Sequence, residues 1–299
     1  MTLRTTLYSD PACPWGYSAN PALAVLRWRY PDALDWRFVA IGLTESHKQY
    51  ADRGYTPVKM ARGYRGFRRF GMPFSTEPKE RVAGTSRACR AIVAVRLAHP
   101  GREWAAYRAL QFAWFTTADV LDEDAAIERA LSTVAGIDAR AAVAAIDSEE
   151  VLAAYEADRA EARSAAGSPT EFQGKSANSD GDVRYTAPSV VFEAPDGRRL
   201  EAGGWQPVEA YDVLVANLDP TIERRLPPED LAALLAEFPD GLTTQEVAAI
   251  LTAGNDAPDP AGAEDALIEV AAAGTAVRRQ LGDDALWLPA QAAALRAAA

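Results

Sequence analysis

Apolar and polar side chains alternate through "LRTTLYS" (Leu3 to Ser9) and again through "DWRFVAIGL" (Asp35 to Leu43), the period of an extended strand. Between them Leu23, Leu26 and Tyr30 recur at helical spacing, so "YSANPALAVLRWRYP" predicts a helix. Strand, helix and strand in this order predict a right-handed parallel crossover. From about Thr56 to Gly167 the period changes. "RVAGTSRACRAIVAVRLA", "REWAAYRALQFAWFTT", "DEDAAIERALSTVAG" and "DARAAVAAIDSEEVLAAYEADRAEARSAAG" are alanine-rich, amphipathic and punctuated by capping residues, which predicts a run of helices. A polar stretch then leads into "APSVVFEAPDGRRLEAGG", read as two strands joined by a turn at Pro195, Asp196 and Gly197, with a helix over about 207–217. Beyond the linker "LPPED" come helices over about 229–237, 244–252 and 263–273, and two short strands around a Gly-Asp-Asp turn. The chain therefore reads as α/β in two parts. Residues 1–225 form the first, with a helical insertion at about 56–167, and residues 226–299 form a small C-terminal module like a winged helix.

With 299 residues, 48% hydrophobic and 24% charged, the chain can bury a large core. It has no run of eighteen apolar residues, and its N-terminus lacks the basic-then-apolar pattern of a secretory signal; a cytoplasmic protein without a membrane partner is expected. Two cysteines make no disulfide framework. Two histidines, His47 and His99, stand apart from each other and from the cysteines, which argues against a zinc site and against a cysteine–histidine dyad. A net charge of −11 argues against nucleic acid as a partner, because that binding replaces counterions with lysine and arginine. The charge is uneven, however. Arg53 to Arg96 holds eleven basic residues against Glu77 and Glu80, a local basic surface on an acidic protein.

The chemistry centres on "YSDPACPWGYS", Tyr8 to Ser18. Cys13 falls in the turn from the first strand into the first helix. Pro14 suits the first helical turn, where its missing N–H costs nothing, and this places Cys13 at the N-cap. Unpaired amides and the helix dipole at such a position can lower a thiol from near 8.5 to about 3.5–7.5, so Cys13 is expected to be an activated nucleophile. Cys89 lies in a helical apolar pattern with Ile92 and Val93 and reads as core packing.

Cys13-Pro14-Trp15 between a strand and a helix, with a helical block before a Thr186-Ala187-Pro188 strand, resembles the DsbA-like thioredoxin-fold family over about residues 3–220. The likeness is strongest to the cytosolic FrnE-type proteins, relatives of the 2-hydroxychromene-2-carboxylate isomerases and kappa-class glutathione transferases. "GTSRACRAIVAVRLAHPGREWAAYRALQFAWFTT" resembles part of their helical insertion.

The resemblance implies a thioredoxin-like fold, an attacking role for Cys13 and a cis peptide before Pro188. The backbone of Ala187 would then pair with an extended substrate. Gly16 departs from the pattern, standing where a resolving cysteine would be. A mixed disulfide on Cys13 therefore needs an external thiol for its release, and a monothiol thiol-disulfide oxidoreductase is expected. Glutathione or mycothiol would serve as co-substrate, with no tightly bound cofactor. Some of Arg62, Arg65, Arg68 and Arg87, in the insertion that covers the site in this family, would face the thiol and bind anionic groups. Trp15 and Tyr17 either form the lip of the substrate groove or pack beside the helix start.

Two other readings stay open. One is an isomerase or transferase that uses glutathione or mycothiol; the other is a non-catalytic interaction protein on a thioredoxin-like scaffold. Residues 226–299 carry twelve acidic residues against Arg278, Arg279 and Arg296, a net of −9. That sign argues against DNA binding and for docking or a homodimer contact.

Overall fold

Strand β1 (Leu3–Ser9) leads through a tight turn into helices α1 (Pro14–Ser18) and α2 (Asn20–Arg29) and then into β2 (Leu34–Ala40) in a computed structural model that describes residues 2–178 and 181–297. β1 and β2 run parallel, in register from Leu3 opposite Leu34 to Ser9 opposite Ala40. β1 is buried along nearly its whole length, which suits a central strand covered on both faces. The predicted first helix is in fact two, dividing at Ala19.

The insertion holds more helices than its sequence predicts. They are α3 (His47–Asp52), α4 (Pro57–Phe67) with a 3-10 turn at Arg68–Phe70, α5 (Ser86–Ala98), α6 (Glu103–Thr116), α7 (Asp124–Leu131), α8 (Ala139–Ala144) and α9 (Glu149–Ala162). The long alanine-rich stretch from Asp138 breaks after α8 because Ser148 starts a new helix, its hydroxyl accepting from the Val151 N–H. The chain then forms α10 (Pro169–Phe172), a short ladder of β3 (Ser176–Ala177) and β4 (Arg184–Tyr185), the hairpin β5 (Ser189–Glu193) and β6 (Arg199–Gly203), and α11 (Val208–Leu218). β5 lies antiparallel to β1, giving the order β2-β1-β5-β6. α11 packs on β5, β6 and α2, while α5 and α9 pack against β2. The main core joins these layers through an aromatic group of Tyr17, Phe74, Trp114 and Phe115. Each such side chain removes roughly 150–250 Å² from water.

The C-terminal segment comprises α12 (Leu231–Glu237), β7 (Leu242–Thr243), α13 (Thr244–Leu251), α14 (Pro260–Ala272), β8 (Ala276–Leu281), β9 (Asp284–Pro289) and α15 (Ala290–Ala297). Its strands pair in the order β7-β9-β8. It shares a second core with α2, in which Ala24, Val25 and Trp28 pack among Leu235, Val247, Leu267 and Trp287. Across this seam Arg108 of α6 pairs with Glu246 of α13, both buried, and Glu246 also completes the capping box of α13 with Thr243.

Candidate active site

Asp10 fixes the turn that carries the thiol. One carboxylate oxygen accepts from the Ala12 N–H at 2.8 Å; the other accepts from the Leu43 N–H at 2.8 Å, the Thr85 hydroxyl at 2.9 Å and the Cys89 thiol at 3.4 Å. Its backbone carbonyl takes the Cys13 N–H at 3.1 Å. Cys13 is the N-cap residue of α1 in extended conformation, and Pro14 occupies the first helical position. From there the Cys13 thiol donates to the carbonyl of Ala187 at 3.1 Å, and the Ala187–Pro188 peptide is cis. β1 and β5 are neighbours in the sheet, so the strand end carrying Cys13 and the strand start carrying Pro188 meet at one edge.

The thiol is buried, with only 6% of Cys13 exposed, among Tyr8, Val39, Ile41, Ala165 and Tyr185. This overturns the expectation of an open, acidified thiol. Burial pushes Cys13 up to about 12. The Gly16 and Trp15 amides at the mouth of α1 pull it down, as does the Arg184 guanidinium, while the Asp10 carboxylate adds to the rise. The helix start therefore acts in the expected direction, but desolvation outweighs it.

Gly16 has its own surroundings. A Cβ placed there would meet Ser9 Oγ at 2.7 Å and the Tyr107 hydroxyl at 3.2 Å. Those two hydroxyls are hydrogen-bonded at 2.8 Å and begin a buried polar chain: Gln111 donates to Tyr107 at 2.7 Å, and Asn20 donates to Gln111 at 3.0 Å. The volume that a second thiol would need is occupied.

Residues 5–186 match the family described as the DSBA-like thioredoxin domain. The chain belongs to that family. Solved structures agree with the fold over about three quarters of its length. A protein from Nitrosomonas europaea assigned as a disulfide isomerase is 20% identical, with a TM-score of 0.54, over 74% of this chain and 97% of its own. The cytosolic disulfide reductase DsbM of Pseudomonas aeruginosa is 19% identical, with a TM-score of 0.51, over 73% and 100%. DsbM solved with GSH is matched at 18% identity and a TM-score of 0.50, over 72% and 99%. No curated protein matches the chain.

Within this family fold the sequence-derived site residues separate into two groups. Cys13, Pro14, Trp15, Gly16, Ala187 and Pro188 come together, with Trp15 exposed between Phe67 and Phe70 at ring distances of 4.9 and 5.5 Å. Tyr17 does not line a groove: it is fully buried, stacked on Phe115 at 4.8 Å. The arginines do not converge on the thiol. Arg62 and Arg65 lie on the exposed side of α4, whose inward residues are Ala61 and Tyr64. Arg87 is held by Asp124 and Asp147, and Arg68 donates to the Phe74 carbonyl at 2.9 and 2.7 Å. Helix phase explains this, since the basic residues of α4 and α5 sit opposite the apolar faces that pack inward. Cys89 is buried against Asp10.

Sequence reasoning missed Asp10 and Arg184, the charged groups that act on the thiol. Asp10 stands three residues before Cys13, and an acidic residue at the buried end of a strand was a usable signal. Arg184 offered none, because only the fold brings β4 to Cys13. Among the described residues no cluster has the composition of a metal site, and no helix is long and apolar enough to cross a membrane.

Proposed function

We propose that the protein is a cytosolic thiol-disulfide oxidoreductase of monothiol type that exchanges through Cys13 with a low-molecular-weight thiol. The observation that carries this reading is the pairing of the Cys13 thiol with Ala187 beside cis-Pro188, together with a Gly16 position already filled by Ser9 and Tyr107. Cys13 gives up its proton and attacks one sulfur of a disulfide. A new sulfur–sulfur bond to Cys13 forms and the old one breaks. The departing thiolate takes the electron pair and, from solvent, a proton. An external thiol then attacks the mixed disulfide and returns Cys13 to its starting state, since the motif offers no internal thiol. The likeness to DsbM, solved with GSH, supports a small thiol as the partner class.

Intact-protein mass spectrometry after exposure to oxidised small thiols tests the proposal. One adduct is expected on Cys13 and none on Cys89, and Cys13→Ser should abolish it. Absence of any adduct on Cys13 in the folded protein would overturn the reading.

The buried, protonated thiol favours a second reading, in which a thiol-dependent isomerase or transferase uses this cleft without disulfide exchange. Saturable binding of a small thiol that leaves no covalent adduct would support that assignment instead.

A further inference from the structure

A cavity of about 550 Å³ opens where the active-site helices, the 3-10 turn after α4 and the C-terminal segment meet. That volume lies within the range of ~300–1,000 Å³ found for small-molecule sites. Its aromatic wall is continuous with the mouth of the thiol site. Trp15, next but one to Cys13, touches Phe70 at a ring distance of 5.5 Å, and Phe70 touches Trp205 at 5.0 Å. Trp205 is fixed by its indole N–H, which donates to the Ser18 carbonyl at 3.1 Å. Its neighbour Gly204 donates to the hydroxyl of Ser189, the residue after Pro188, at 3.5 Å. The opposite wall belongs to the C-terminal segment, where Gln245 packs so closely on Gly71 that a Cβ there would lie 2.2 Å from its side chain.

The charges of the lining point to a ligand class. Arg29 is paired with Asp212, and Arg68 donates to the Phe74 carbonyl and lies 3.6 Å from Asp283, so both charges are already offset within the protein. Arg69, its guanidinium 4.8 Å from the Phe70 ring centre, is the lining cation without an ion pair among the described residues. Glu209 and Asp256 line the cavity with no ion pair among the described residues, and Gln245 adds an amide. Aromatic faces with surplus acceptors suit a molecule rich in hydroxyl donors and poor in negative charge. Glutathione, with two carboxylates and one ammonium, would bring a net negative charge to a lining of one spare cation and two carboxylates, which disfavours it.

We propose that this cavity holds the non-thiol portion of the small-thiol substrate, and that this portion is an uncharged, polyhydroxylated ring system of the sugar–cyclitol kind carried by mycothiol. The proposal rests on the reading of Cys13 as a small-thiol exchanger. It adds that the C-terminal segment is part of the substrate site, because Gln245 and Asp256 come from it.

The test uses the full-length Cys13→Ser protein, which cannot exchange, and an uncharged probe without sulfur: N-acetylglucosaminyl-inositol, its nitrogen acylated as in mycothiol, titrated by calorimetry. Saturable binding is expected, weakened about tenfold or more by Trp205→Ala, and weakened also by Glu209→Gln, which leaves the aromatic wall in place. S-methylglutathione should bind at least tenfold more weakly than the probe. Equal or tighter binding of S-methylglutathione overturns the proposal, as does absence of probe binding, or affinity unchanged in both variants. The two readings fail separately. An adduct on wild-type Cys13 without probe binding removes the cavity proposal alone, whereas probe binding without an adduct removes the exchange reading and the link between the two sites.

Discussion

Two opposing influences meet on the sulfur of Cys13. The amides of Gly16 and Trp15 favour the thiolate, and enclosure by residues from four separate stretches of chain favours the thiol. A thiol pushed up to about 12 holds its proton at pH 7 far more firmly than a free cysteine, which is a few per cent thiolate there. Because the folded value lies above the free one, the thiolate fraction keeps rising about tenfold per pH unit well past pH 8.5. Alkylation of Cys13 by iodoacetamide, followed by mass spectrometry, should be slow at pH 7 and climb without a plateau between pH 7 and 10. A plateau near pH 7 would contradict the enclosure. Gly16→Cys should not create a working dithiol, since its Cβ would collide with Ser9 Oγ. Overpacking of this kind costs typically ~1–3 kcal/mol, to be read as a lowered denaturation midpoint that Ser9→Gly in the same chain partly restores. At this scale the sequence was informative about identity and silent about environment. Cys13 and Pro14 could be picked out from local chemistry, and Gly16 and Pro188 from the family resemblance. The enclosure could not, because Val39, Ala165 and Tyr185 reach Cys13 only through the fold.

Helices and strands were legible where their period was strong and their ends were capped. The parallel pair β1 and β2, the hairpin of β5 and β6 and the helices of the C-terminal segment lie close to their expected positions. The two-part character of α8 and α9 was hidden because alanine-rich text reads as one helix until a cap such as Ser148 is weighed. Charge counting cannot tell which acidic residues after 226 are solvated, and Glu246 is fully buried against Arg108. Removing one charge of a buried pair leaves the other uncompensated, typically at a cost of ~3–5 kcal/mol. Glu246→Gln should therefore lower stability by about that amount in urea denaturation, even though glutamine can still serve the capping box. A loss below about 1 kcal/mol would show that Arg108 finds another partner.

For the molecule as a whole, α2 has a double allegiance. Leu23 and Leu26 belong to the main core, whereas Ala24, Val25 and Trp28 belong to the core of the C-terminal segment. Trp28 donates to the Leu226 carbonyl at 2.8 Å and lies under the Arg225 guanidinium at 3.5 Å. The helix that follows the active-site turn is thus held from both sides. Full-length protein should unfold in one calorimetric transition, since a shared apolar core couples the two parts. A chain ending at Leu226 would expose the Trp28 face and should aggregate or melt well below the intact protein. Two resolved transitions in the intact chain would argue against this coupling.

The enclosure of Cys13 also bears on how long the protein survives in oxidising surroundings. Peroxide consumes thiolates rather than thiols, climbing from sulfenic to irreversible acids. A sulfur that keeps its proton and donates it to the Ala187 carbonyl offers peroxide almost nothing to attack. Millimolar hydrogen peroxide at pH 7 should oxidise Cys13 far more slowly than it does an exposed, acidified cysteine. The chain would keep its exchanging thiol through bursts of oxidant, its longevity secured at the expense of speed.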